Sequence, residues 1–199
     1  MDNFSVLHPL LTRYEKLFMP GERRALLQQM SGEIQWQTDF VVYGRRFDMP
    51  RRQAWFADEG VHYRYSDNML TSQLWVEPLL LIKNAVERKT GLNFNSVLVT
   101  YYRDGSDHVA WHADDEVELG DKPVIASLSF GATRQFHYRH KLTGDTGRME
   151  LHDGELILMQ AGFQEECEHC VPVELDVVKP RMNLTFRNVV MLRELDSDI

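Results

Sequence analysis

His112 and Asp114 stand one residue apart in Trp111-His-Ala-Asp-Asp-Glu-Val-Glu, and at a strand end that spacing lets an imidazole and a carboxylate point at one ion. Alone the pair is a weak signal, because two exposed polar residues opening an acidic run would look the same. A second imidazole sharpens it. His169 follows Asp114 by 55 residues (169 − 114), inside Glu168-His-Cys-Val-Pro, whose apolar neighbours suit a strand returning alongside the first. Two imidazoles and one carboxylate form the facial triad that leaves positions open on Fe(II) for a co-substrate and dioxygen.

Arg181-Met-Asn-Leu-Thr-Phe-Arg187 is the most informative stretch in the chain. Strand periodicity puts Arg181, Asn183, Thr185 and Arg187 on one face and Met182, Leu184 and Phe186 on the other. A charged edge strand facing solvent would carry such a face to deter aggregation. Beside a metal site, two guanidiniums and an amide read instead as a carboxylate clamp, since arginine grips a carboxylate in a two-pronged fork. Arg181 comes 12 residues after His169 (181 − 169), close enough for one turn to bring the two together.

Elements must exist to position these groups. Pro20-Gly-Glu-Arg-Arg-Ala-Leu-Leu predicts a helix near 21–30, with proline at a first helical position. Leu79, Ile82 and Val86 recur at helical spacing and Gly91 supplies a stop, which predicts a second helix near 76–90. From Asn95 onward the pattern shifts to short β-rich segments: 97–102, 125–130, 135–138, 148–151, 155–159, 169–173 and 181–186. That count suits an antiparallel jelly roll braced by the N-terminal helices, an α+β chain of one domain over 1–199.

Composition narrows the classes further. With 43% hydrophobic and 26% charged residues and no apolar run of membrane-spanning length, the chain reads as globular rather than membrane-embedded. The N-terminus lacks a secretory pattern and only two cysteines are present, so an intracellular, reducing location is expected, cytoplasmic or, in a eukaryote, nuclear. A monomer is expected. A formal charge of −8 speaks against non-specific coating of nucleic acid, which needs clustered Lys and Arg. Arg45-Arg46, Arg51-Arg52 and Arg139-His140-Lys141 remain as local basic clusters. Cys167-Glu-His-Cys170 has the spacing of a redox dithiol, but Pro172 follows too closely for the helix such a motif opens. His137, His140 and His152 lack a partner at ligand spacing.

Taken in order, Asn95-Ser-Val-Leu-Val-Thr-Tyr-Tyr-Arg-Asp-Gly, His112-Ala-Asp-Asp-Glu, Ile125-Ala-Ser-Leu-Ser-Phe-Gly, Glu168-His-Cys-Val-Pro and Arg181-Met-Asn-Leu-Thr-Phe-Arg resemble the AlkB family of nucleic-acid dealkylases. The similarity runs from about Val41 to Val189. Val42-Tyr-Gly-Arg and Met49-Pro-Arg-Arg-Gln-Ala-Trp-Phe look like the substrate-recognition lid of the DNA-repair branch, around 41–66. The resemblance implies a double-stranded β-helix with Fe(II) on His112, Asp114 and His169, and 2-oxoglutarate held by Tyr102, Arg181, Asn183, Thr185 and Arg187. Thr100 stands where the family often has asparagine, and Cys167 where many relatives carry an aromatic residue.

The activity so implied is oxidative dealkylation of N-alkylated bases in DNA, consuming O₂ and converting 2-oxoglutarate to succinate. Tyr43, Trp55, Phe56 and Tyr65 are aromatic residues of the lid region, suited to stacking on a flipped base or to core packing. Asp115 and Glu116 are placed by the resemblance near the damaged base's polar edge, and Arg51 and Arg45 are candidate phosphate contacts. Two other readings stay open. The same chemistry can act on RNA, a protein side chain or a small metabolite, and a jelly-roll metal-binding module without turnover would share the same motifs.

Overall fold

Alternation over Arg181–Arg187 constrains the architecture, because a strand polar on one face and apolar on the other needs a different layer on each side. The computed structural model describes residues 8–42, 45–61, 64–65, 68–69 and 72–190. In chain order the elements are β1 (Leu11–Tyr14), α1 (Pro20–Glu33), β2 (Gln37–Val42), β3 (Arg45–Ala57), β4 (Arg64–Tyr65), β5 (Asn68–Met69) and α2 (Glu77–Thr90). There follow β6 (Ser96–Tyr102), β7 (Val109–His112), a 3-10 turn (Val117–Leu119), β8 (Ile125–Gly131), β9 (Arg134–His140) and β10 (Thr146–Leu151). The last are β11 (Leu156–Met159), α3 (Phe163–Glu166), β12 (Cys167–Val171) and β13 (Arg181–Arg187).

A seven-stranded sheet has the order β1-β11-β8-β13-β6-β3-β2, and a four-stranded sheet the order β10-β9-β12-β7. Their pairings are antiparallel. The two sheets face each other as a jelly roll. At one end, Ile125, Ile157 and Met159 of the larger sheet meet Phe136, Tyr138 and Met149 of the smaller in a shared apolar cluster. Helices cover the opposite face of the larger sheet, where Met182, Leu184 and Phe186 pack with Leu26 and Met30 of α1 and Leu79, Ile82 and Val86 of α2. Each such side chain contributes about 1.5–3 kcal/mol when fully removed from water.

β13 therefore has its two required layers: helices behind, the smaller sheet in front. It lies at the centre of the sheet between β6 and β8, and all seven of its residues are buried. The competing reading, a solvent-facing edge strand, is thereby excluded: β13 is central and its polar face looks inward. Helix α2 ends where expected, at Gly91 with φ 73°, a left-handed conformation that costs glycine little. β1 to β5 and β7 are strands that the sequence pattern does not announce. β3 carries Pro50 and four arginines, so its apolar alternation is broken until Gln53-Ala-Trp-Phe-Ala, where burial becomes continuous.

Candidate metal and co-substrate site

Antiparallel pairing of β12 with β7 sets His169 directly across from His112, and the ladder shifts register between His169 and Val171. The two imidazole rings lie 4.3 Å apart between centroids. Two residues beyond His112 the chain turns Asp114 inward, where it is 2% exposed. Its Oδ1 and Oδ2 each lie 3.9 Å from an imidazole Nε2, of His112 and His169 respectively. That is too long for a hydrogen bond. One donor atom from each of the three residues lies within 4.8 Å of the others, and among the described residues this is the cluster that meets that spacing.

Neighbouring groups fix the ligand forms that a divalent ion requires. The Ala110 carbonyl can only accept, so His112 Nδ1, 2.8 Å away, carries the proton and leaves the Nε2 lone pair free. Burial, reinforced by His112, holds the His169 imidazole down at about 3, which keeps it neutral. For Asp114, burial pushes upward, but the Arg187 guanidinium with both histidines outweighs it and holds the carboxyl at about 2. Arg187 Nη2 donates to Asp114 Oδ1 at 2.7 Å. One buried carboxylate and two facing imidazoles suit a ferrous ion in a site with open positions.

The cleft between the sheets encloses about 570 Å³ with its open mouth included. Deep in it Arg181 is 1% exposed, and its Nη2 donates to Ser129 Oγ at 2.8 Å and to Asn183 Oδ1 at 2.7 Å. Asn183 Nδ2 in turn donates to Thr185 Oγ1 at 2.9 Å, so the inward face of β13 is a continuous polar ladder. Among the described residues, Nε and Nη1 of Arg181 have no hydrogen-bond partner and no carboxylate forms an ion pair with it. Burial pulls its pKa downward, the cost of an unneutralised cation in a dry site. A guanidinium in that setting suits an anion with carboxylate geometry. Tyr102, opposite Arg181 in the β6 ladder, lays its ring 5.1 Å from the guanidinium. Thr100 faces Asn183 across the same ladder and lines the cleft.

The residues expected to meet substrate do not share one environment. Arg51 lines the cleft. Trp55 and Phe56 do not present faces for stacking: Phe56 is 1% exposed in the core under α2, and Trp55, at 3%, packs with Ala57, Val61, Leu98, Leu119 and Val189. Central pairing of β3 with β6 through Ala57 buries both, which corrects their assignment to packing. Asp115 is exposed and ion-paired to Lys141 at 3.1 Å, and Glu116 opens the 3-10 turn. Arg45 is exposed on the β2–β3 hairpin, where Arg46 pairs with Asp39. Tyr43 lies outside the described residues, and of Tyr65 only the backbone is described.

The basic cluster at 139–141 is neutralised locally, with Arg139 on Glu168 and Lys141 on Asp115. Cys167 and Cys170 are free, buried thiols whose pKa burial raises, so neither is an activated thiolate. Cys167 fills the apolar cluster behind His169, its Sγ 3.7 Å from His8 Nε2.

Several contributors escape the sequence. Ser127 and Ser129 feed the Asn183 amide from β8. Arg134 is also buried against Tyr102, 5.4 Å from its ring. Gln164 accepts from the Asp114 backbone. Phe47, 46% exposed, stacks on Phe40 at 5.7 Å across the hairpin. Alternation along β8 and β9 pointed some of these inward, but their partners come from loops whose proximity only the fold creates.

A model of the 2OG-Fe(II) oxygenase superfamily matches residues 11–187. The chain is 36% identical over 189 residues to DNA oxidative demethylase ALKBH2 of Mus musculus, spanning 89% of this chain and 79% of that protein. It is 39% identical over 183 residues to alpha-ketoglutarate-dependent dioxygenase alkB homolog 3 of Bos taurus, spanning 84% of this chain and 62% of that one. In fold it is similar to the solved structure of OsALKBH1, with a TM-score of 0.63 at 16% identity over 92% of this chain and 100% of the other. A match of that extent places the chain in the 2OG-Fe(II) oxygenase superfamily, as a dioxygenase that uses Fe(II), 2-oxoglutarate and O₂.

Proposed function

We propose that this enzyme removes alkyl groups from nitrogen atoms of DNA bases, with Fe(II) on His112, Asp114 and His169 and the distal carboxylate of 2-oxoglutarate on Arg181. The observation that carries the co-substrate assignment is the buried Arg181 guanidinium with two unpartnered nitrogens, set in the same cleft as the ligand cluster. The DNA assignment rests on relatives named as DNA oxidative demethylases. Bound ferrous ion, with 2-oxoglutarate and dioxygen, supplies the oxidising chemistry that amino-acid side chains lack.

The chain's own residues do the rest. Arg187 neutralises Asp114 and holds its carboxylate in one orientation, and the Ala110 carbonyl fixes the His112 tautomer. Asn183, Ser129 and Thr185 keep the Arg181 guanidinium aimed into the cleft, while Tyr102 screens it from water. Arg51 and the exposed Phe47 of the hairpin are the basic and aromatic groups through which a nucleic acid would be gripped. In balance, an N-methyl group, 2-oxoglutarate and O₂ give the free N–H, formaldehyde, succinate and CO₂. The enzyme acts as one domain and a monomer, inside the compartment that holds the DNA.

Incubation with N-methylated single-stranded DNA, duplex DNA and RNA, followed by mass spectrometry of the bases and quantitation of succinate, tests the reading. Loss of methyl from DNA in step with succinate is expected. Succinate formed at the same rate with or without any oligonucleotide, and bases left intact, would reassign the substrate to a protein or small molecule.

A further inference from the structure

Helix α3 is only four residues long, yet it touches both halves of the metal site. It runs directly into β12, and the Phe163 ring lies 6.1 Å from the His169 ring. The next residue, Gln164, is 1% exposed, and its Oε1 accepts from the Asp114 backbone N–H at 3.1 Å. Its Nε2 donates to Met159 Sδ at 3.2 Å, which fixes which end of the amide faces Asp114. Lys141, from the turn after β9, donates to the backbone carbonyl of Gln164 at 2.8 Å and to Asp115 Oδ2 at 3.1 Å.

Asp114 and His169 are 55 residues apart in sequence (169 − 114), and their distance sets the bite offered to an ion. His169 is held on a paired strand. Asp114 lies beyond the end of β7, where no strand ladder orders its backbone. A buried backbone N–H in such a segment needs an acceptor, and Gln164 is the one provided.

We propose that Gln164 is the positioning residue that sets the Asp114–His169 spacing, with Lys141 bracing it from the surface. It touches neither ion nor substrate. It acts by tying the loop that carries the carboxylate to the helix that launches the distal histidine. Side chains that orient ligands in this manner typically alter metal affinity ten- to hundredfold when lost. The inference rests on the metal assignment made above, and its test separates the two.

The test is Mn(II) binding by the full chain, followed through the EPR signal of the free aqueous ion, with the ligand-field spectrum of the Co(II) form as a geometric readout. Wild type should bind one ion, and Asp114→Ala should not. If Asp114→Ala binds like wild type, the metal assignment itself is wrong. Given that control, Gln164→Met, which keeps the volume but replaces the amide acceptor, should weaken Mn(II) ten- to hundredfold and shift the Co(II) spectrum. Gln164→Glu retains an oxygen acceptor and should restore affinity to within about threefold of wild type. Gln164→Met binding as wild type with an unchanged Co(II) spectrum overturns the proposal, as does equal loss in the Met and Glu variants. Should Gln164→Met fail to fold, Lys141→Met decides: a loss of about threefold or more supports the brace, and none refutes it.

Discussion

Two buried arginines lie against the ring of Tyr102 and differ in how the protein serves them. Arg134, with no exposed side-chain surface, is fully served by the protein: Nε donates to Glu174 at 2.8 Å, and its other nitrogens donate to the carbonyls of Asp104, Asp107 and Pro172. Arg181, equally buried, ends in two nitrogens with no partner and no ion-paired carboxylate among the described residues. Both guanidiniums carry the same charge into the same dry region. Burial therefore does not mark a functional cation; incomplete satisfaction does, because a protein seldom leaves such a charge uncompensated unless something else supplies the counter-charge.

That contrast can be broken at several points. The largest effect is expected at Asp114, which accepts a hydrogen bond from a third buried guanidinium, Arg187, and contributes to the ligand cluster. Asp114→Ala should abolish Fe(II)-dependent succinate formation while circular dichroism stays that of a folded chain. Retained turnover would remove the carboxylate from the ligand set. Arg181→Ala should raise the KM for 2-oxoglutarate by about a hundredfold or more, as loss of a buried charge-assisted pair costs several kcal/mol. It should also erase the thermal stabilisation that 2-oxoglutarate gives the metal-loaded wild type. An unchanged 2-oxoglutarate dependence would mean that Arg181 and Arg134 are both structural.

Arg134→Met should behave in the opposite sense. It strands Glu174 and should lower the free energy of unfolding by about 3–5 kcal/mol in denaturant titrations, with a smaller change in KM for 2-oxoglutarate than Arg181→Ala. The smallest effects are on oligonucleotide binding, and these separate the aromatics. Phe56→Ala should cost stability, about 3–5 kcal/mol, with little change in oligonucleotide affinity per folded molecule. Phe47→Ala should leave stability near wild type and weaken binding of DNA by about tenfold, within the range of one stacked base. Equal binding by Phe47→Ala and wild type would remove the hairpin from the DNA interface.

Much of the site was legible because it lies on strands whose period is two. Arg181, Asn183, Thr185 and Arg187 share a face by arithmetic alone, and the structure turns that face into the cleft. The helix at 76–90 was equally readable, since Leu79, Ile82 and Val86 mark its buried stripe. Trp55 and Phe56 were not, because stacking and packing demand the same residue type. Only the pairing of β3 with β6 and the helices behind it decide between them. Gln164 and Arg134 were invisible for a related reason: a lone polar residue acquires a role from partners that loops and turns deliver, and no local period encodes that delivery.

The central place of β13 has a consequence for how the molecule comes into being. It is the last described strand along the chain, yet it is the one that joins β1-β11-β8 to β6-β3-β2. Before residues 181–187 leave the ribosome, the larger sheet can exist only as two fragments with unpaired inner edges and no polar ladder between them. Closure must await contacts reaching back from Arg181 to Tyr102, 79 residues earlier (181 − 102), which is the slow, non-local kind of assembly. A nascent chain stopped short of Arg181 is for that reason an aggregation hazard rather than a partial enzyme.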